Sequence, residues 1–185
     1  MNSLSKYIVL FVVLKLINFL IWPLLARYNS LDSIGVYEKE IAFLTLLVPL
    51  ISIQLQDSIF KFSSKKNLKK IIWTVTIIGL LFYFLSQSGI VPYFEEFTRL
   101  IVIGSYFQAI FFIVLFYFKS INKIGHFFYF QIAQISFFVV LTFSCDLLMS
   151  YYISYGIITI VGVIVSFLLG DEADVSNEFS IQTLI

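Results

Sequence analysis

The sequence predicts an all-α, polytopic membrane protein with six transmembrane helices forming one bundle. Three observations carry this. Hydrophobic residues make up 60% of the 185 residues and charged residues only 12%, against about 25% charged in an ordinary soluble domain. Mean hydropathy is +0.98. The apolar runs are long and do not alternate with polar residues, which excludes β-barrel strands. The same composition excludes a disordered chain, a collagen-like fibre and a disulfide scaffold. The single cysteine, Cys145, has no internal partner. With a net charge of +1 and no basic face, nothing tracks a phosphate backbone, so no nucleic-acid partner is expected.

About 20 apolar residues cross the hydrocarbon core as a helix. The candidate spans are Tyr7–Leu25, Ile41–Ile53, Ile71–Leu85, Leu100–Phe118, Phe127–Leu148 and Tyr151–Leu169. The second extends through Tyr37 at one end and Ile59 at the other; the third reaches from Leu68 to Gln87. The first has a basic start at Lys6, as a signal peptide does. Lys15 and Asn18 interrupt it and no small-residue cleavage site follows Pro23, so it reads as a retained anchor. Residues 1–169 then form the bundle. Residues 170–185 are a tail, polar at first and then apolar at Phe179, Ile181, Leu184 and Ile185.

The loops set the expected orientation. Eight basic residues fall at the N-terminus and in the even loops, chiefly Lys61, Lys65, Lys66, Lys69, Lys70, Lys119 and Lys123; three, Arg27, Lys39 and Arg99, fall in the odd loops. The positive-inside rule places the larger group, and with it both termini, in the cytoplasm. The acidic tail does not oppose this, because Asp and Glu contribute little to the rule.

Between the first two spans stands Arg27-Tyr-Asn-Ser-Leu-Asp-Ser-Ile-Gly35-Val-Tyr37, a polar turn ending in Gly-x-Tyr. The second span carries Pro49-Leu-Ile-Ser and closes on Lys61-Phe62. Tyr117-Phe-Lys119-Ser-Ile-Asn-Lys123 forms a short basic loop. In order, spacing and helix count these features resemble the N-terminal half of the polysaccharide (O-antigen type) flippases. That family belongs to the multidrug/oligosaccharidyl-lipid/polysaccharide exporter superfamily. The resemblance implies a bacterial plasma (inner) membrane protein that translocates lipid-linked oligosaccharide of the undecaprenyl-pyrophosphate type for O-antigen, lipopolysaccharide or other surface polysaccharide synthesis. Members of the family carry two bundles. The expectation here is a truncated half transporter whose tail begins a linker to a missing second bundle, the second wall coming from another chain or a homodimer.

Flipping breaks no bond, so no catalytic residue, cofactor or metal is expected, and the chain is not read as an enzyme. It needs a polar cavity with cationic groups for phosphate. Lys15 lies well inside the first span, where a charge costs about 2.5–3.5 kcal/mol. With Asn18 and Trp22 it occupies one helical face. It is expected either to line the cavity or to snorkel towards an interface. Arg27 is a phosphate-binding or an interfacial anchoring candidate. Gln108, Gln131 and Gln134 are amides in hydrocarbon; they line a sugar-binding surface or join helices. Asp57 and Lys61, four residues apart, are gate candidates or a solvated helical ion pair. Membrane lipids are partners in any case, with the lysine cluster Lys65–Lys70 facing anionic headgroups. Two other classes stay open. One is a non-transporting scaffold that binds polysaccharide-assembly partners. The other is half of a drug or ion antiporter, which wants an acidic residue deep in a span.

Overall fold

The computed structural model describes residues 3–53, 55, 59, 64–88, 99–121 and 123–169. Among these the chain forms six long helices and no strand: α1 (Ser3–Tyr28), α2 (Leu31–Ser52), α3 (Lys65–Gln87), α4 (Arg99–Ser120), α5 (Ile124–Leu141) and α6 (Leu147–Leu169). All but α2 are long and apolar enough to cross a membrane. At 1.5 Å per residue α2 is about 33 Å long, matching a hydrocarbon core of about 30 Å. It falls short on composition alone, because Glu38, Lys39 and Glu40 stand within it. The protein is an all-α membrane bundle.

Local chemistry places the ends. Asn29 closes α1 by donating its backbone N–H and its Nδ2 to the Leu25 carbonyl, at 3.0 and 3.1 Å. Ser30 caps α2: its Oγ accepts the Ser33 N–H at 3.2 Å, and Asp32 in the first turn complements the helix dipole. The polar segment after Arg27 is therefore a turn of Asn29 and Ser30 only. Gly35 and Tyr37, expected in the turn, lie inside α2, and the space beside Gly35 is open. Ser64 caps α3 in the same way through the Asn67 N–H at 3.2 Å. Four lysines, Lys65, Lys66, Lys69 and Lys70, follow in its first turns. Cations at a helix N-terminus oppose the dipole, so helix stability does not account for them.

Two expected boundaries move. The second helix does not run on to Ile59 as one element. Pro49 cannot donate to the Thr45 carbonyl, and four residues later Ile53 takes a left-handed conformation, φ 45° and ψ 35°. Leu55 and Ile59, beyond this break, are buried. The fifth helix stops at Leu141, not Leu148. Asp146, expected inside that span, instead caps α6, its Oδ1 accepting the Met149 N–H at 2.9 Å.

Helix α4 is the axis of the bundle. It packs against α2, α3, α5 and α6, and 61% of its apolar window is buried, against 12% for α1. Paired contacts fix the directions. Thr76 meets Tyr106 and Gln87 meets Arg99, so α3 and α4 are antiparallel. Gly104 meets Tyr152 and Val114 meets Gly162, so α4 and α6 are parallel. Tyr28 contacts Phe143 edge-on at 5.5 Å, which brings the α1–α2 and α5–α6 turns to one end. The lysine-rich start of α3 and the α4–α5 turn share the other end. Helix α1 lies at the edge, held mainly on α5 by Leu14 against Phe128 and Ile135.

The break after α2 makes a specific prediction. Ile51 is fully buried and Ile53 is exposed in a strained conformation. Ile51→Ala is expected to lose on the order of 2 kcal/mol through the cavity it leaves. Ile53→Gly should be neutral within about 1 kcal/mol, relief of left-handed strain offsetting glycine's entropy. Thermal unfolding of both variants in detergent micelles reads the difference; equal losses would remove the strain argument.

Candidate functional site

The sequence-chosen residues separate. Lys15 lies midway along α1 on its exposed side, with Nζ 5.5 Å above the Phe11 ring. Asn18 is part of α1, but its side chain, like that of Trp22, lies outside the described residues, as do Asp57 and Lys61 altogether. Arg27 is exposed in the last turn of α1. Gln108 and Gln131 are half-buried on α4 and α5, and each has an enclosed Oε1 with no hydrogen-bond partner among the described residues. Gln134 is buried, and its Nε2 donates to Ser154 Oγ at 3.3 Å. That bond joins α5 to α6, the helix-joining role.

Gln134 also belongs to a cluster that sequence reasoning missed. Tyr37 and Glu40 are three residues apart and share a face of α2. On α6, Tyr151, Tyr152 and Tyr155 present hydroxyls and rings towards that face. The Tyr152 hydroxyl donates to Glu40 Oε2 at 2.7 Å, tying α2 to α6. Gly104 on α4 makes this possible: a Cβ there would fall within the Tyr152 ring. Tyr37 and Tyr151 meet edge-on at 5.7 Å, and the Tyr151 and Tyr155 rings lie tilted to each other at 4.7 Å. These rings, with Gln134, Phe138, Ile135 and the α1 residues Ile21 and Leu25, border a cleft of about 170 Å³ between α1, α2, α5 and α6.

The second feature is the outward side of α2. Gly35, Glu38, Ala42, Thr45 and Pro49 recur along one stripe and are all exposed, as is the neighbouring Lys39. Lys39 Nζ rests 5.8 Å above the Phe43 ring. Lipid-facing helices elsewhere in the bundle look different: α3 exposes Trp73, Ile77, Leu80, Leu81 and Phe84. Glu38 and Lys39 are the charges on this side; Thr45 donates to the Ile41 carbonyl at 2.8 Å, Val36, Leu46 and Leu50 are exposed beside them, and a charge exposed to hydrocarbon is costly.

One signal for the cluster was present in the sequence. Tyr37, Glu40, Leu44, Leu47 and Ile51 follow helical spacing, but Glu38-Lys39-Glu40 looks like a loop. Tyr151 and Tyr152 at a span end look like an aromatic belt.

No protein-family model, curated protein or solved structure matches this chain. The Glu40–Tyr152 bond is the part of the site most open to measurement. Tyr152→Phe is expected to destabilise the bundle by about 1.5–3 kcal/mol, because it strands a half-buried carboxylate. In a Glu40→Leu background the same change should cost far less. Gly104→Ala should destabilise, whereas Gly35→Ala, with open space beside it, should stabilise by about 0.5–1 kcal/mol. Additive losses in the double variant would show that the two side chains do not act as a pair.

Proposed function

We propose that this bundle forms one wall of a membrane path along which a lipid-linked oligosaccharide is flipped. The observation that carries the reading is the pair of charges Glu38 and Lys39 exposed on the outward side of α2, where the exposed side of α3 from Trp73 to Phe84 is apolar. Lys15 at mid-depth on α1 is a second costly charge on the exterior. Each such charge costs about 2.5–3.5 kcal/mol against lipid; against a water-filled path the cost falls away. The helix order and motifs that resemble the polysaccharide flippases point the same way.

The chemistry required is binding without bond breaking. Lys15, Lys39 and Arg27 are cations for the phosphates, Arg with its planar fork and Lys as a point charge. Tyrosines and Gln134 offer hydroxyl and amide groups for sugar hydroxyls. The lipid tail stays in the bilayer beside the apolar faces. One wall does not enclose a path; a second copy of this chain supplies the other, and the two rock against each other.

The orientation follows from charge. The lysine cluster at the start of α3 opposes its helix dipole, so retention of these cations on one side of the membrane is its best account. That side is the cytoplasm of a bacterial inner membrane, with both termini on it. A periplasm-active reporter fused after Ile185 should be silent, while one inserted between Ser86 and Thr98 should be active; the reverse pattern overturns the orientation.

A second reading is favoured by one observation. Glu40 lies about 14 Å along α2 from Leu31, bonded to Tyr152, and supplies the carboxylate inside a span that half of an ion or drug antiporter would use. Translocation separates the two readings. The chain is reconstituted in phospholipid vesicles with a fluorescent undecaprenyl-pyrophosphate oligosaccharide, whose sidedness is read by lectin. The flippase reading expects Lys15→Ala to slow transfer about tenfold, a change of 1.4 kcal/mol, and Lys66→Ala to leave it unchanged. No transfer, together with Glu40-dependent collapse of a pH gradient, would replace it with the antiporter.

A further inference from the structure

The cleft between α1, α2, α5 and α6 has a composition that selects its ligand. Among the described residues its polar lining is Tyr37, Gln134, Tyr151 and Tyr155, and no charged side chain among them borders it. The nearby carboxylate, Glu40, is turned to Tyr152. An ion entering such a place would lose its hydration without a counter-charge, at a cost of several kcal/mol. A neutral ligand with hydroxyls avoids that cost. The rest of the wall is ring surface: Phe138 stacks on Tyr37 at 6.0 Å and meets Tyr151 edge-on at 6.0 Å.

Size narrows it further. At about 170 Å³ the cleft is smaller than the roughly 300–1,000 Å³ of sites that enclose drug-sized molecules. It has room for one ring, not a chain of sugars. The opposite wall, Ile21 and Leu25, belongs to α1, the least buried helix of the bundle. Gln134 is oriented by its bond to Ser154, whose own Oγ donates to the Tyr151 carbonyl at 2.8 Å. The amide is thus held in place before any ligand arrives.

We infer that this cleft is a subsite for a single neutral pyranose ring of a membrane-anchored glycan, and that Gln134 and Tyr155 set its specificity. The sugar's C–H face lies on the tyrosine rings, and its hydroxyls exchange hydrogen bonds with the amide and phenol groups. The inference rests on the translocation reading for the source of the sugar, but its test is binding, not transport.

The chain in phospholipid nanodiscs is titrated calorimetrically with n-dodecyl β-glucoside, with free glucose and with dodecyltrimethylammonium, against empty nanodiscs. Saturable binding of the glucoside is expected, weakened about tenfold by Gln134→Leu and by Tyr155→Phe and unchanged by Lys66→Ala. Tyr155→Phe keeps the ring, so it tests the hydroxyl even if Gln134→Leu unfolds the chain. Binding of the glucoside without free glucose assigns a membrane-anchored source; equal binding of both keeps the pyranose and assigns a soluble one. Glucoside binding that ignores both variants, or tighter binding of the ammonium with the same sensitivity, overturns the proposal. Variant-sensitive binding in a chain that moves no lipid-linked sugar would refute the translocation reading alone. Translocation without variant-sensitive binding would refute this subsite alone.

Discussion

Hydrocarbon offers no hydrogen bonds, so every polar group carried into it must find a partner in the protein or in trapped water. The backbone meets this constraint by forming helices throughout the described chain. Many side chains meet it one by one, while the enclosed Oε1 atoms of Gln108 and Gln131 find no partner among the described residues. Thr45, Thr74 and Thr76 donate to carbonyls one turn back in their own helices. Thr159 reaches across to the Phe107 carbonyl on α4, and Thr76 also meets the Tyr106 hydroxyl. Glu40 takes the Tyr152 hydroxyl, and Gln134 takes Ser154.

Close packing around α4 lets these pairs form. Gly79 admits the Tyr106 ring, Gly104 admits the Tyr152 ring, and Gly162 admits Val114. In lipid, helix association depends on such contacts more than on hydrophobic burial. The exceptions then acquire meaning. Lys15, Glu38 and Lys39 are charges exposed along α1 and α2, whereas α3 exposes Trp73, Ile77, Leu80, Leu81 and Phe84. Their position on α1 and α2 is what the proposed polar path rests on.

The class and helix count were legible because length and hydropathy alone define a span. Lys15 was legible too, as a charge between Val12 and Phe19. The start of α2 was not, because Ser30 capping and Asp32 outweigh a charge run that looks like a loop. The end of α5 was hidden in apolar sequence: only the Asp146 carboxylate on the Met149 N–H shows that a new helix begins. The tyrosine cluster was not legible because Tyr37 lies 114 residues before Tyr151, and no periodicity within one helix pairs it with a helix so remote. Gly104 carries no sequence signal for its role, which exists only once Tyr152 is beside it.

The central claim is that the outward stripe of α2 faces water within the membrane and the exposed face of α3 does not. Cysteine accessibility tests it directly. In a Cys145→Ser background, single cysteines replace Ala42 and Thr45 on α2 and Ile77 and Phe84 on α3, and native membranes are treated with a membrane-impermeant thiol reagent. Thiols react as thiolates, which form in water and not in hydrocarbon. The account predicts labelling at positions 42 and 45 and none at 77 and 84. Silence at 42 and 45, or equal labelling at all four, would contradict it.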